Sequence, residues 1–276
     1  MKILLTGANG YIGRSLNEAL KDKHEVTRLT REECDLTSLH RVALYFWKLY
    51  DAKERFDVVI HCAAVGGNRL VEDNAKDVLD TNLQMFYHLA QHHKSFFDKF
   101  ICFGSGAEIY SSDKPYGLSK KIIADSINER EGFYNLRIFG VFDENELDRR
   151  FIKASILRYL RGESLEIHDN RYFDFFYMQD LVKLVEYYLA EENPPKVTEC
   201  RYDSTKNLSG IANLINELDE HKVDISISNP YGGAYVGTLL PPSLDYVGLE
   251  QGIKNVYSSL FIINEKNGSS VSTQKK

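Results

Sequence analysis

No stretch of this chain approaches the roughly 18 to 20 consecutive apolar residues that a bilayer-spanning helix needs. The opening Met1-Lys2-Ile3-Leu4-Leu5 is too short for the apolar region of a secretory signal. A soluble, cytoplasmic protein with no membrane partner is the expectation. Basic excess is missing as well: 34 Lys and Arg stand against 40 Asp and Glu, for a net charge of −6, and the cations are dispersed. That disfavours a nucleic-acid partner held by phosphate contacts. Any anionic ligand must be met by local basic residues. Cysteines are few and scattered, at positions 34, 62, 102 and 200, which predicts free thiols in a reducing compartment and no disulfide. His88, His92 and His93 lack a third ligand pattern, so a solvated helix end is expected there and no metal site. No internal repeat is visible.

What the chain does contain is enough apolar residue, 43% against 27% charged, for one large α/β core and a smaller lobe. Lys2 to Thr6 is a short apolar strand. Ile12, Leu16 and Leu20 then recur at helical spacing. Further strands are expected at 25–30, 57–61, 100–103 and 134–139. Helices alternate with them, carrying Leu39, Val42, Phe46 and Leu49, then residues 78–93, then the segment around Tyr116. Such alternation calls for a Rossmann-like, doubly wound parallel sheet with helices on both faces and a ligand at the carboxyl ends of the strands. Past about Asp143 the regularity weakens, with helices at 149–161, 180–191 and 209–218. The expected division is 1–142 as the dinucleotide-binding region and 143–265 as a small substrate lobe with segments returning to the core. The polar tail 266–276 is expected to be disordered.

Two local patterns carry chemistry. Gly7, Gly10 and Gly13 stand three apart in Gly7-Ala8-Asn9-Gly10-Tyr11-Ile12-Gly13, between the first strand and the first helix. Glycine there permits a tight turn, close approach of backbone to a pyrophosphate, and close helix packing. Tyr116 and Lys120 sit four apart, hence on one face of a helix, where the cation can stabilise a phenolate. Asp35, beyond the second strand, suits either an adenine amino group or a helix-capping turn.

On these residues the chain resembles the extended short-chain dehydrogenase/reductase superfamily, the group of NAD-dependent nucleotide-sugar epimerases, dehydratases and reductases. The motifs are Gly7 to Gly13, Asp35-Leu36, His61-Cys62-Ala63-Ala64, Asn82, Phe103-Gly104-Ser105, Tyr116 to Lys120, Leu136 to Val141 and Asp174 to Asp180. The resemblance implies that Tyr116 is the general acid or base at the reacting oxygen and that Lys120 binds the nicotinamide ribose. It implies that Asn9, Tyr11, Ile12, Leu36, Ala63, Ala64, Asn82 and Phe139 line the dinucleotide. Ser105 takes the role of the catalytic Ser or Thr when aligned on the strand end; counted back from Tyr110, the position is Gly106. The resemblance further implies a homodimer.

Departures from the resemblance narrow the reaction. Dehydrating relatives carry an Asp-Glu pair where this chain has Gly106-Ala107-Glu108, so dehydration is disfavoured. Relatives that epimerise two carbons before reduction use a Cys and a His where this chain has Ala107 and Arg150. Simple hydride transfer at one carbon remains. Tyr116 follows Ser105 by only eleven positions, which shortens the rim at Ser111-Ser112-Asp113-Lys114.

The tip of the second strand lacks a ribose-binding carboxylate, and Arg31 or Arg28 could meet a 2′-phosphate, although Glu32 and Glu33 lie close by. That leans to NADP, with NAD as the other choice. Among Arg149, Arg150, Lys153 and Arg171, Arg150 and Arg171 are expected to hold the diphosphate of a nucleotide sugar, with Tyr235 a further contact. The expectation is therefore an NADP-dependent reductase of a nucleotide-linked 4-keto-sugar, in deoxysugar or surface-polysaccharide synthesis. The alternatives are a nucleotide-sugar 4-epimerase with tightly bound NAD and a dinucleotide-sensing protein without chemistry.

Overall fold

Apolar strands as short as Lys2–Thr6 (β1), with four of five residues buried, are stable only inside a sheet that covers both of their faces. The computed structural model, which describes residues 1–67 and 76–272, supplies that sheet. After β1 come α1 (Tyr11–Leu20), β2 (Glu25–Leu29), α2 (Leu39–Ala52), β3 (Val58–His61), α3 (Lys76–Ala90), β4 (Lys99–Ser105), the one-turn α4 (Ala107–Tyr110), α5 (Pro115–Asn128) and β5 (Phe133–Ile138). The remaining elements are β6 (Val141–Phe142), α6 (Phe151–Leu160), β7 (Leu165–Asp169), β8 (Tyr172–Phe173), β9 (Phe176–Tyr177), α7 (Met178–Ala190), β10 (Val197–Cys200), β11 (Lys206–Asn207), α8 (Leu208–Asn216), β12 (Ile225–Asn229), β13 (Ala234–Tyr235) and α9 (Leu249–Ser272).

The chain forms two compact units, Met1–Ile138 with Val182–Glu199, and Phe139–Leu181 with Cys200–Lys276. In the first, six strands lie in the order β10-β5-β4-β3-β1-β2, and the β2-β1-β3-β4-β5 pairings are parallel. The order reverses at β1, so the crevice between the carboxyl ends of β1 and β3 is the topological switch point where such sheets bind ligands. Leu4, Val59, Phe100 and Cys102 face one side and pack with Val42, Phe46 and Leu49 of α2, Phe86 and Leu89 of α3, and Ile123 and Ile127 of α5. Ile3, Leu5, Val58 and Ile60, on the alternate positions, are equally buried, so both faces are covered. α2 starts where Ser38 Oγ accepts from the Arg41 amide and stops at Lys53, whose left-handed backbone (φ 55°) returns its N–H to Leu49 and Tyr50.

The histidines expected at a solvated helix end are placed otherwise. His92 stacks on Phe46 at 3.9 Å, and the His93 ring packs edge-on against Phe133 at 4.8 Å. Both are half-buried, because an aromatic-rich face recruits flat rings of any kind. Among the described residues no group of three His, Cys, Asp or Glu is placed to hold a metal ion, and no helix is long and apolar enough to cross a membrane.

The second unit has its own core, in which Ile152, Ile156 and Tyr159 of α6, Ile211 and Ile215 of α8, and Ile253 and Val256 of α9 enclose Leu165 and Ile167 of β7. Three small sheets, β11-β8-β13, β12-β7 and β6-β9, frame it. The sequence reading recognised no helix at α9. Its backbone runs through 266–272, part of the stretch expected to be disordered, whereas 273–276 lie outside the described residues. Elongating a helix already anchored by packed residues fixes one residue per added hydrogen bond, so a polar extension costs little.

Candidate active site

The first unit gathers most of the predicted residues at the carboxyl ends of β1, β3 and β4. Gly7 has φ +63°, and a Cβ there would fall 2.6 Å from the Ala63 amide nitrogen. The glycine turn thus lies against the end of β3, at the switch point. A Cβ on Gly13 would come 2.3 Å from the Gly7 carbonyl oxygen, so α1 can close onto the turn only with glycine at that place. The Gly10 amide donates to the Gly7 carbonyl at 2.9 Å. No side chain caps α1 at Gly10, which suits a helix start whose amides meet a phosphate. This cradle fits a dinucleotide pyrophosphate.

At the tip of β2 the cation that reaches the glycine turn is Arg28: its Nη2 donates to Asn9 Oδ1 at 2.6 Å, while Arg31 is exposed. The Glu33 carboxylate returns to the same tip and accepts from the Thr30 amide at 2.8 Å. Asp35 Oδ1 accepts from the amide and hydroxyl of Thr37 at 3.0 and 2.7 Å, and these bonds hold its carboxyl below the usual range. It is a turn residue in this fold. The Leu36 side chain belongs to the core, and its carbonyl meets His88 Nδ1 at 2.8 Å.

Asn82, nearly inaccessible on α3, ties the loop after β3 to the helix that carries Tyr116. Its Oδ1 accepts from the Val65 amide at 2.9 Å; its Nδ2 donates to the Val65 carbonyl at 3.0 Å and to Ser119 Oγ at 3.1 Å. Ser119 Oγ in turn donates to the Tyr116 carbonyl at 2.7 Å. Ala63 is half-buried and Ala64 exposed beside this loop.

Pro115 starts α5, and the four-residue spacing sets Lys120 beneath Tyr116. Lys120 Nζ lies 5.8 Å from the centre of the Tyr116 ring and donates to the Phe103 carbonyl at 2.8 Å. The lysine is only 7% exposed. Burial pulls its pKa down, but Tyr116, Cys102, Glu108 and Cys62 more than offset that and hold the ammonium above its ordinary value. A charged lysine is therefore built in beside the phenol. His61, at the end of β3, is wholly buried, and burial followed by the nearby Lys120 charge pushes it down to about 3. It stays neutral, bonded to Thr6 Oγ1 at 2.8 Å.

Ser105, the last residue of β4, is half-buried, and its Oγ accepts from the Ala107 amide at 3.2 Å. Gly106 is buried and has no side chain to offer. The short rim closes because Gly117 lacks a Cβ, which would stand 2.0 Å from the Ser111 carbonyl oxygen.

The sequence profile of the family described as "NAD dependent epimerase/dehydratase family" matches residues 3–200, a span that begins in β1 and ends with β10. The chain belongs to the NAD dependent epimerase/dehydratase family. It is 25% identical over 259 residues to the CDP-abequose synthase of Yersinia pseudotuberculosis, covering 85% of this chain and 89% of that protein. Among solved structures it resembles a GDP-D-glycero-L-gluco-heptose synthase from Campylobacter jejuni in the presence of NADPH, with a TM-score of 0.78, 16% identity, and 95% and 98% of the two chains covered. A UDP-glucuronic acid 4-epimerase from Bacillus cereus, in complex with UDP-glucuronic acid and NAD, superposes with a TM-score of 0.72 at 19% identity over 95% and 100% of the chains. At those identities the structural likeness establishes the fold.

The remaining predicted residues of this family member lie in the second unit, where each side chain has a partner within that unit. Arg150 Nε is held by Glu146 Oε1 at 3.0 Å, and Arg171 Nη2 by Asp169 Oδ2 at 2.8 Å. Both are paired cations, because each has a carboxylate within four positions on its own segment. Lys153 Nζ donates to the Glu146 carbonyl at 2.7 Å. The Phe139 side chain is core, edge-on to Tyr235 at 5.6 Å. Sequence reasoning missed Gly67, whose absent Cβ would lie 2.7 Å from Tyr116 Cζ, and the buried partners of Glu108. No local signal marks either, since both depend on neighbours distant in sequence.

Proposed function

We propose that this protein transfers hydride between a bound nicotinamide dinucleotide and C4 of a sugar carried on a nucleoside diphosphate, and that the outcome is C4 epimerisation. The observation that carries the reading is the buried, charged Lys120 beneath Tyr116, in the same unit as a glycine cradle suited to a pyrophosphate. When bound, the nicotinamide supplies the hydride acceptor and donor. Tyr116, as the phenolate that Lys120 stabilises, takes the proton from the sugar O4 as the alcohol is oxidised, holds it as a neutral phenol while the ketone is bound, and returns it when the ketone is reduced again. Ser105 donates its hydroxyl hydrogen to the same oxygen and holds it in line. Lys120 also reaches the nicotinamide ribose, and Gly7, Gly10 and Gly13 seat the pyrophosphate.

Support for epimerisation over net reduction comes from the Glu33 carboxylate at the β2 tip, which would repel a 2′-phosphate and favours NAD, and from the NAD-bound 4-epimerase among the structural relatives. A second reading, NADPH-dependent net reduction of a 4-keto-sugar, is favoured by Arg28 and Arg31 at that tip and by the relative determined with NADPH. Mass spectrometry of dinucleotide released from the purified protein separates them. Retained NAD, with interconversion of a nucleotide sugar and its C4 epimer and no net consumption of cofactor, is the expected result. Stoichiometric oxidation of added NADPH by a 4-keto-sugar would establish the second reading instead.

A further inference from the structure

Glu108 is a charged residue in a place where charge is expensive, and the bonds it makes converge on Ser105. Its side chain is 3% exposed. Oε1 accepts from the Ser105 amide at 2.8 Å, and Oε2 accepts from Arg137 Nε at 2.8 Å. Asn135 Nδ2 approaches both oxygens, at 3.4 and 3.3 Å. Arg137 Nη1 then donates to Glu199 Oε1 at 2.6 Å, on a side chain 1% exposed. Three charges from α4, β5 and β10 therefore run in one line into the end of β4.

The fit of that line against the strand is tight. A Cβ on Gly104 would lie 2.2 Å from Glu108 Oε1 and 2.3 Å from Asn135 Oδ1, so the carboxylate presses onto the β4 backbone where only glycine leaves room. Burying such a chain of charges is a poor way to add stability, since well-packed apolar residues do as well or better. What it does provide is a backbone locked at one residue. The Ser105 amide is fixed by Glu108, and the Ser105 hydroxyl oxygen is fixed by the Ala107 amide. With that acceptor contact made, the hydroxyl still has its own hydrogen to donate, and a substrate oxygen can receive it.

We propose that Glu108, held by Arg137 and Glu199, is the positioning residue that sets the Ser105 hydroxyl for catalysis, and that it moves no proton itself. This rests on the hydride-transfer reading above. Its carboxylate oxygens are occupied by donors from Ser105, Arg137 and Asn135, which leaves Glu108 suited to holding geometry and unsuited to acid–base work on a sugar.

The test is a double-mutant cycle on the full-length protein with the nucleotide sugar that the wild type turns over. Glu108→Gln, and Glu108→Asp, which keeps the charge but withdraws it by one methylene, should each lower kcat on the order of ten- to a hundred-fold, as expected for a displaced catalytic group. KM and cofactor affinity should change by less than about two-fold, since no group that touches either ligand is removed. In a Ser105→Ala background neither substitution should cost more, and the pH profile of kcat should keep both limbs. Wild-type kcat in the Asp variant, additive losses in the cycle, or a missing limb in the pH profile would each overturn the proposal. Should Glu108→Gln not fold, as thermal melts would reveal, the Asp variant carries the test. Full activity in Ser105→Ala with none in Tyr116→Phe would refute the positioning role and spare the hydride-transfer reading, whereas full activity in Tyr116→Phe would refute both.

Discussion

Gly67 and Tyr116 touch across the site: the Cβ that Gly67 lacks would stand 2.7 Å from the ring carbon bearing the Tyr116 hydroxyl and 3.0 Å from the hydroxyl oxygen itself. Gly67 also has φ +75°, a conformation that side chains resist. The loop after β3 and the helix bearing Tyr116 therefore meet at a glycine. Gly67→Ala should displace the phenol and lower kcat by roughly ten-fold or more. It should also cost about 1–2 kcal/mol of stability through the left-handed backbone. Steady-state kinetics with a parallel thermal melt would check this, and an unchanged kcat would show that Tyr116 does not depend on the contact.

Tyr116→Phe should lower turnover by about 10²- to 10⁴-fold, the usual worth of a positioned acid–base group, while leaving dinucleotide binding intact. Lys120→Met should weaken dinucleotide binding as well, because the ammonium is expected on the ribose, and should leave the Phe103 carbonyl without its 2.8 Å donor. Titration calorimetry on both variants separates the two roles. Equal cofactor affinities would refute the assignment of the ribose to Lys120.

At the cradle, Gly13→Ala would place a methyl group 2.3 Å from the Gly7 carbonyl oxygen, and neither backbone can yield without opening the turn. Loss of measurable dinucleotide binding is expected, with the sheet still folded by circular dichroism. Binding within about three-fold of wild type, roughly half of a 1.4 kcal/mol tenfold step, would mean that the turn does not seat the pyrophosphate.

Glu146 offers a pH test of the second unit. Burial pushes its carboxyl up to about 7 from an ordinary 4.5, against the pull of Arg150, and its Oε2 has no hydrogen-bond partner among the described residues. A native value above the unfolded one means that the folded state holds the proton more tightly. The stabilisation is complete below the unfolded value and is lost as pH rises through the folded one. Between roughly pH 5 and pH 8 the wild-type Tm should therefore fall more steeply than that of Glu146→Gln. At about pH 8 the variant should be the more stable by about 1–3 kcal/mol. Parallel Tm curves would exclude a buried protonated carboxyl.

How far the site was legible in the sequence follows the range of the interactions. The alternation of strands and helices, the glycines three apart and the Tyr116–Lys120 pair one helical turn apart are patterns within a few residues, and they announced the fold and the chemical pair. By contrast, α9 and the small sheets of the second unit went unread. Two-residue strands carry no periodicity, and the α9 pattern fades into polar sequence. Arg150 and Arg171 were chosen as guanidinium groups in the expected substrate lobe, and the sequence did not reveal their pairing with Glu146 and Asp169.

By itself, then, the sequence determined what local spacing determines: a parallel α/β sheet, a turn that only glycine can make, and a phenol with an ammonium on one helix face. Tertiary structure decided everything that joins distant segments. Asn82 meets Ser119 across 37 positions, Arg137 meets Glu108 across 29 and Glu199 across 62. Those meetings depend on strand order, and strand order is set by how the whole apolar pattern packs. A buried charge is tolerable only beside a partner, and which partner it finds is a property of the fold.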